Sequence, residues 1–398
     1  MRLPVCFLIK NFNFLKVAKI LIISGEPSGD FFASGLIKSI KKCSKNIDCY
    51  AVGGEQTESA GAELIADIDK LSVMGFTEVL CKLKTIKKIL NKVYGWIREN
   101  KPDAVILIDF PSFNFRIAKL SYGLKIPVIY FIPPKIWASR YARIKFIKKY
   151  IKFVIVIFPF EYDIYKKAGI EVYYFGNPSY SSYDEEVKSG GVKKIGSKDK
   201  YPVISFLPGS RKAEIKYHSG RIIESMLLIK KAYKDSFFIF PFKKGIDSSR
   251  FVSVLKKKNI PEKWYVITDS VSDALYSCDV IVVASGTASL EACFYGKPVI
   301  IIYYLNYLTY LMAKILVNIK YVGLVNIMAN DCVVPELIES KFTPGNVFKE
   351  VDRFLKDDIY KKSIVDKILD TVSTLKTDAL PLESSAKLIY DRIILKNN

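Results

Sequence analysis

At 398 residues with 50% apolar side chains, the chain is too long for one hydrophobic core and too apolar to be disordered, so two domains of ordinary size are expected. Its 61 Lys+Arg against 40 Asp+Glu leave a formal charge of +21, which suits nucleic acid, anionic lipid or phosphorylated small molecules, and equally a Lys-rich solvated surface. Seven scattered cysteines without a CxxC pair and a single histidine, His218, exclude a disulfide scaffold, zinc sites of the usual spacing and chemistry needing two imidazoles; the thiols read as reduced and cytosolic.

Residues 1–17 are basic, with an apolar run from Val5 to Ile9 too short for a signal peptide or a membrane span, and are expected as an extension before the first strand. From Ala18, apolar runs of strand length alternate with helical patterns: KILIIS, CYAVGG, AVILID, VIYFI and FVIVIF. That alternation predicts βαβ units around a parallel sheet, over residues 18–178. Residues 179–200 lose apolar periodicity and gain Ser, Gly and charge, the composition of a linker. A second series over 201–343 runs VISFLPGS, FFIFPF, WYVIT, DVIVVASG and PVIIIYY, and 344–398 has apolar positions at helical spacing. The apolar stretch Tyr303 to Met328 is interrupted by Lys314 and Lys320 and reads as core helices or an interfacial segment. The fold expected is α/β, two doubly wound Rossmann-like domains facing a central cleft, because ligands of such sheets bind beyond the carboxyl ends of the strands.

Four strand ends carry candidate chemistry. SGEPSGD, Ser24 to Asp30, gives a glycine loop before a helix; it suits close approach to a ligand, or an ordinary βα turn with Asp30 as cap. AVILID ends at Asp109, either a general base facing the cleft or an N-cap or ion-pair partner of Arg116. LPGSR places Gly209 and Ser210 in a turn before Arg211, which can hold a diphosphate with two parallel hydrogen bonds or stand as a surface cation. DVIVVASGTASLEA ends a strand at Ala284, opens a helix with Ser285, Gly286 and Thr287, and sets Glu291 one turn further on the same face. That helix start suits nucleotide phosphates, with Glu291 accepting the ribose hydroxyls. Asp67-Ile68-Asp69 matches a DxD metal pattern that arises often by chance, and no metal is otherwise required.

Taken in order, SGEPSGD, MGFTEVL (74–80), IDFPSFN (108–114), FPFE (158–161), FGNP (175–178), LPGSR, SGTASLEA (285–292) and VPELIES (334–340) resemble the successive signatures of the lipid-A-disaccharide synthases. The resemblance implies a GT-B architecture without cofactor. It also implies an inverting transfer from UDP-2,3-diacylglucosamine to 2,3-diacylglucosamine 1-phosphate, giving a β-1,6-linked disaccharide 1-phosphate and UDP. On that basis Asp109 would be the base, with Glu26 as a second catalytic carboxylate. Gly209, Ser210, Arg211, Ser285, Gly286, Thr287 and Glu291 would hold the nucleotide, and Ser28, Gly29 and Asn114 would line the acceptor side. Both substrates are acylated, which implies a cytoplasmic protein resting on the inner face of the cytoplasmic membrane. Met74, Phe76 and Leu80 are expected as acyl contacts beside a Lys-rich helix, or as core positions of an amphipathic one. No nucleic-acid partner is implied, and a homodimer is left open. Pro133 and Lys135, Asn177 and Glu339 depart from the family's usual residues. The competing readings are a UDP-sugar epimerase of the same architecture and a non-catalytic basic membrane- or RNA-binding protein, which would leave Asp109 and Glu291 without a role.

Overall fold

The computed structural model describes residues 17–68, 76–137, 142–196, 201–304 and 320–395, with side chains left out over 76–83. Seven strands form the first sheet: β1 (Ala18–Ile23), β2 (Ile47–Gly53), β3 (Glu63–Asp67), β4 (Ala104–Leu107), β5 (Val128–Phe131), β6 (Phe153–Val156) and β7 (Val172–Tyr174). Six form the second: β8 (Val203–Leu207), β9 (Phe237–Pro241), β10 (Tyr265–Thr268), β11 (Val280–Ala284), β12 (Val299–Tyr303) and β13 (Glu336–Ile338). Every residue of β4, β5, β6, β8, β9 and β11 is buried, as continuous Val, Ile, Leu and Phe runs require in a sheet covered on both faces. In β1 the alternation is two-sided: Ile20 and Ile22 enter one apolar cluster, Leu21 and Ile23 another.

The strand orders are β3-β2-β1-β4-β5-β6-β7 and β10-β9-β8-β11-β12-β13, all pairs parallel. Each order reverses once, between β1 and β4 and between β8 and β11. There the helices leave on opposite faces and a crevice opens at the strand ends. The four motifs of chemical interest follow β1, β4, β8 and β11, so both crevices are lined by them.

Part of the segment of linker composition is helical. Pro178–Lys188 is capped by Asn177, whose Oδ1 accepts from the amides of Ser179 (3.0 Å) and Tyr180 (3.2 Å), and its Tyr180 and Tyr183 pack on Phe294 and Tyr295 of the second lobe. Beyond the second sheet, the helix Pro344–Lys356 covers Lys212–Ala232, and the chain then crosses back. The returning residues bond the exit of the first lobe: Leu375 O accepts from Asn177 N (3.3 Å), Thr374 O from the Tyr174 hydroxyl (3.2 Å), and the Thr377 hydroxyl donates to Phe175 O (2.7 Å). The helix Pro381–Ile389 then packs on Pro27–Cys43. Gly35 makes that contact close, since a Cβ there would lie 2.6 Å from Leu382 Cδ1.

Candidate active site

One crevice, open to solvent, is lined from both lobes: Ser28, Gly29, Asp109, Lys135 and Glu161 on the first, Thr287, Leu290 and Glu291 on the second. The structure therefore brings together five of the residues singled out in the sequence, across the two strand-order reversals.

Asp109 is held in a strained backbone. It has φ 44°, Phe110 has φ 47° and Ile132, which follows β5, has φ 60°, the left-handed region that side chains with a Cβ avoid. The strain is over-determined by hydrogen bonds. Asp109 N donates to Ile132 O (3.0 Å), and Asp109 O accepts from Asn114 Nδ2 (2.7 Å) and the Tyr130 hydroxyl (2.6 Å). Gly25 is required here, because a Cβ would stand 2.2 Å from Phe110 Cγ. Burial pushes the Asp109 carboxyl up from its ordinary range, opposed by the Lys135 charge and the Phe110 amide; a carboxylate made more basic in this way is suited to taking a proton. Asn114, expected on the cleft wall, is fully buried instead, with Nδ2 on the carbonyls of Ile108 and Asp109. It braces the Asp109 backbone from behind.

Glu26 ends the β1 loop and reaches across the cleft: its Oε2 lies 3.8 Å from Arg211 Nη2. Burial raises its carboxyl, the Asp109 charge adds to this, and Arg211 and Lys135 oppose it. Arg211 caps the helix Lys212–Ala232 and pairs with Glu214, Nη1 to Oε1 at 2.7 Å. The amides of Ser210 (2.9 Å) and Arg211 (3.2 Å) also go to Glu214, so these N–H groups of the turn are occupied and the outward-facing edge of the guanidinium, toward Glu26, is the part that faces the cleft. Gly209, at φ 116°, lets Glu214 fold back, since a Cβ would meet the Glu214 Cβ at 2.6 Å. Behind the turn His218 is a buried staple: Nδ1 donates to Pro208 O (2.7 Å) and Nε2 accepts from Tyr304 N (3.1 Å), which fixes a neutral tautomer.

On the facing wall, Ser285 donates to Val322 O (3.2 Å) and Gly286 adopts φ 147°, opening the seven-residue helix Thr287–Cys293. The 322–323 turn is fastened by Glu336, which accepts from Val322 N (3.0 Å), Gly323 N (2.8 Å) and Asn326 Nδ2 (2.8 Å). Thr287 and Glu291 both face the cavity. Burial raises the Glu291 carboxyl, opposed by Lys243, and the carboxylate makes no ion pair or hydrogen bond among the described residues.

Glu161 is a site residue that strand-end reasoning does not single out, though FPFE places a carboxylate just beyond the end of a buried strand. Fully buried on the helix Pro159–Lys167, it accepts from Trp137 Nε1 at 3.0 Å, and burial pushes its carboxyl up to about 7. An acid raised in the fold costs nothing below its unfolded value of 4.5 and destabilises as pH climbs to 7, because the unfolded chain ionises first. Glu161→Gln should therefore gain on the wild type by up to about 3 kcal/mol between pH 5 and 8. Urea midpoints at the two pH values measure this; an identical difference at both would remove Glu161 as the titrating group.

Other motif residues lie elsewhere. Asp30 is structural: its buried carboxylate accepts from the amides of Gly54 (2.7 Å), Gln56 (3.2 Å) and Thr57 (3.3 Å) and from the Thr57 hydroxyl, capping the neighbouring helix Glu55–Ser59 rather than its own. Asp67 ends β3, while Asp69 and Met74 fall outside the described residues. Phe76 and Leu80 belong to the helix Phe76–Asn100 within the stretch whose side chains are not described.

A family profile described as lipid-A-disaccharide synthetase matches residues 20–388. Lipid-A-disaccharide synthases of Geobacter metallireducens and Nitrosococcus oceani are 33% and 34% identical over 343 residues, covering 86% of this chain and 89% of the relative in the first case and 85% and 87% in the second. Lipid-A-disaccharide synthase 1 of Legionella pneumophila (strain Philadelphia 1) is 32% identical over 366 residues, 91% of this chain and 95% of its own. Among solved structures the fold is similar to the UDP co-structure of S. aureus MnaA, with TM-score 0.64, 13% identity and coverage of 96% and 98%. It is also similar to UDP-GlcNAc 2-epimerase from Neisseria meningitidis bound to UDP-GlcNAc, with TM-score 0.62, 13% identity and coverage of 95% and 100%. At that identity the likeness shows two Rossmann-like lobes of GT-B type and says nothing of the reaction, so the epimerase reading gains no support from it.

Proposed function

Since the chain belongs to the lipid-A-disaccharide synthase family, we propose a division of labour among its residues in which the first lobe activates the acceptor and the second holds the departing nucleotide. The reaction joins UDP-2,3-diacylglucosamine to 2,3-diacylglucosamine 1-phosphate, and yields the β-1,6-linked disaccharide 1-phosphate and UDP. Asp109 takes the proton of the acceptor's 6-hydroxyl as the oxygen attacks the anomeric carbon of the donor. The bond from that carbon to the UDP oxygen breaks on the opposite face, which inverts the configuration. Negative charge then develops on the diphosphate, where Arg211 can meet it without losing its own charge. Glu291, whose carboxylate makes no hydrogen bond or ion pair among the described residues, accepts the ribose hydroxyls. The observation that carries this reading is a cavity with Asp109 on one wall and Thr287 and Glu291 on the other.

Glu26 fits a second role. Its Oε2 stands 3.8 Å from the Arg211 guanidinium, a contact that a bound diphosphate would displace. The acyl chains of both substrates favour work at a membrane surface, since lifting each buried CH₂ into water costs about 0.8 kcal/mol. No described helix is long and apolar enough to cross a membrane, so the contact proposed is peripheral.

Calorimetric titration with UDP and with UMP tests the nucleotide half. Arg211→Ala should weaken UDP about 10- to 100-fold, the worth of hydrogen bonds to a charged group, and UMP far less. Glu291→Ala should weaken both alike. Equal loss of UDP and UMP affinity in Arg211→Ala would place the guanidinium away from the β-phosphate.

A further inference from the structure

The cavity wall that faces the acceptor is crowded with acids. Asp109 and Glu161 line it, Glu26 lies close enough for the Asp109 charge to help raise its carboxyl, and the only cation lining the cavity among the described residues is Lys135. Its charge reaches all three carboxyls, yet its ammonium makes no ion pair or hydrogen bond among the described residues. The side chain is exposed, but the backbone beneath it is stiff. Ile132 is pinned in its left-handed conformation by donating to Ile155 O (2.9 Å) and accepting from Asp109 N (3.0 Å). Pro133 and Pro134 fix the next two φ angles, Ile136 N donates to Pro134 O (2.7 Å), and Trp137 is tied to Glu161. A free cation on a rigid mount is preorganised for an anion that arrives from solution.

The acceptor brings such an anion. In a pyranose, C1 and C5 are both bonded to the ring oxygen, so the phosphate on C1 and the hydroxymethyl arm on C5 leave from the same edge of the ring. Placing the 6-hydroxyl at Asp109 carries the phosphate to a neighbouring part of the same wall. There a phosphate meets repulsion from the carboxylates unless a cation offsets them, and Lys135 is the group in position to do so.

We propose that Lys135 binds the phosphate on C1 of the acceptor sugar and thereby makes the enzyme select phosphorylated acceptors. The inference rests on the placement of the acceptor hydroxyl at Asp109. Selection follows from the same charges: an acceptor with a free 1-hydroxyl forgoes the Lys135 contact, whereas Lys135 removed leaves a phosphate facing acids alone.

The test is steady-state UDP release by the full chain, with 2,3-diacylglucosamine 1-phosphate and with its 1-hydroxyl analogue, the analogue read as KM or, where it is not turned over, as an inhibition constant. Lys135→Gln should raise the KM for the phosphorylated acceptor about 10- to 100-fold, the loss of a charge-assisted hydrogen bond. The donor KM and the constant for the analogue should stay unchanged, so that the preference for phosphate collapses, and Lys135→Arg should restore part of it. UDP titration of each variant reports that the fold is intact. If Lys135→Gln keeps the phosphate preference and lowers kcat equally on both acceptors, Lys135 acts through Asp109 and the proposal is overturned. Asp109→Asn in the same assay separates the two ideas. Normal turnover by that variant would remove the acceptor from Asp109 and the Lys135 inference with it, while an inactive Asp109→Asn beside an unaltered preference in Lys135→Gln removes the Lys135 inference alone.

Discussion

Asp109→Asn should cut turnover on the order of 100-fold or more while UDP binding survives. The substitution keeps the shape of the side chain and takes away its basicity. It leaves untouched the features that position residue 109, because these act on its backbone: the carbonyl is held by Asn114 and Tyr130 and the amide by Ile132. The nucleotide contacts proposed for Arg211 and Glu291 belong to the other lobe and should not feel the change. Single-turnover UDP release beside UDP titration measures both halves. Turnover within a few-fold of wild type by a variant that binds UDP normally would end the case for Asp109 as base.

A second carboxylate, four residues after Glu26, should behave in the opposite way. Asp30→Ala is expected to lower stability by at least about 3 kcal/mol, since it leaves the buried or half-buried amides of Gly54, Gln56 and Thr57 without their acceptor, at roughly 1–3 kcal/mol for each unsatisfied donor. The end of β2 and the start of the helix Glu55–Ser59 depend on these bonds. Whatever protein remains folded should retain UDP affinity, because the nucleotide site lies in the other lobe. Urea denaturation reads the loss. A shift below 1 kcal/mol would mean that water replaces the carboxylate without difficulty.

These two acids show where the sequence is informative. Every strand proposed from an apolar run is present, because a strand buried on both faces has to be written almost wholly in Val, Ile, Leu and Phe. The strands left unread, β3, β7 and β13, are all edge strands of three to five residues with half-buried positions, where no such run is needed. Asp109 is legible as a cleft residue because the strand ends of a doubly wound sheet open into its crevice. Asp30 is not, since its partners lie more than twenty residues away and only the fold brings them near. Asn114 looks like a cleft residue in IDFPSFN because helix phase alone does not tell a side chain facing the ligand from one facing the strand end beneath it. Glu161 is hidden for another reason: its chemistry comes from Trp137 and from burial, neither of which is local to FPFE. Asn177, a departure from the family's usual residue, proves to be a helix cap that also donates to Ile157 O at 3.2 Å.

The chain passes between the lobes twice, and the two passages lie side by side, joined by the bonds of Tyr174, Phe175 and Asn177 to Thr374, Leu375 and Thr377. Mechanically this is a two-ply strap. A single strand would let one lobe swivel freely against the other, but two plies fastened together bend along one line and resist torsion. Motion of one lobe against the other about such a strap would be chiefly a hinge, and Glu26 and Arg211 face each other across the cleft it would open. A donor entering between the walls would then have fewer relative orientations of them to select among than a single connection would allow.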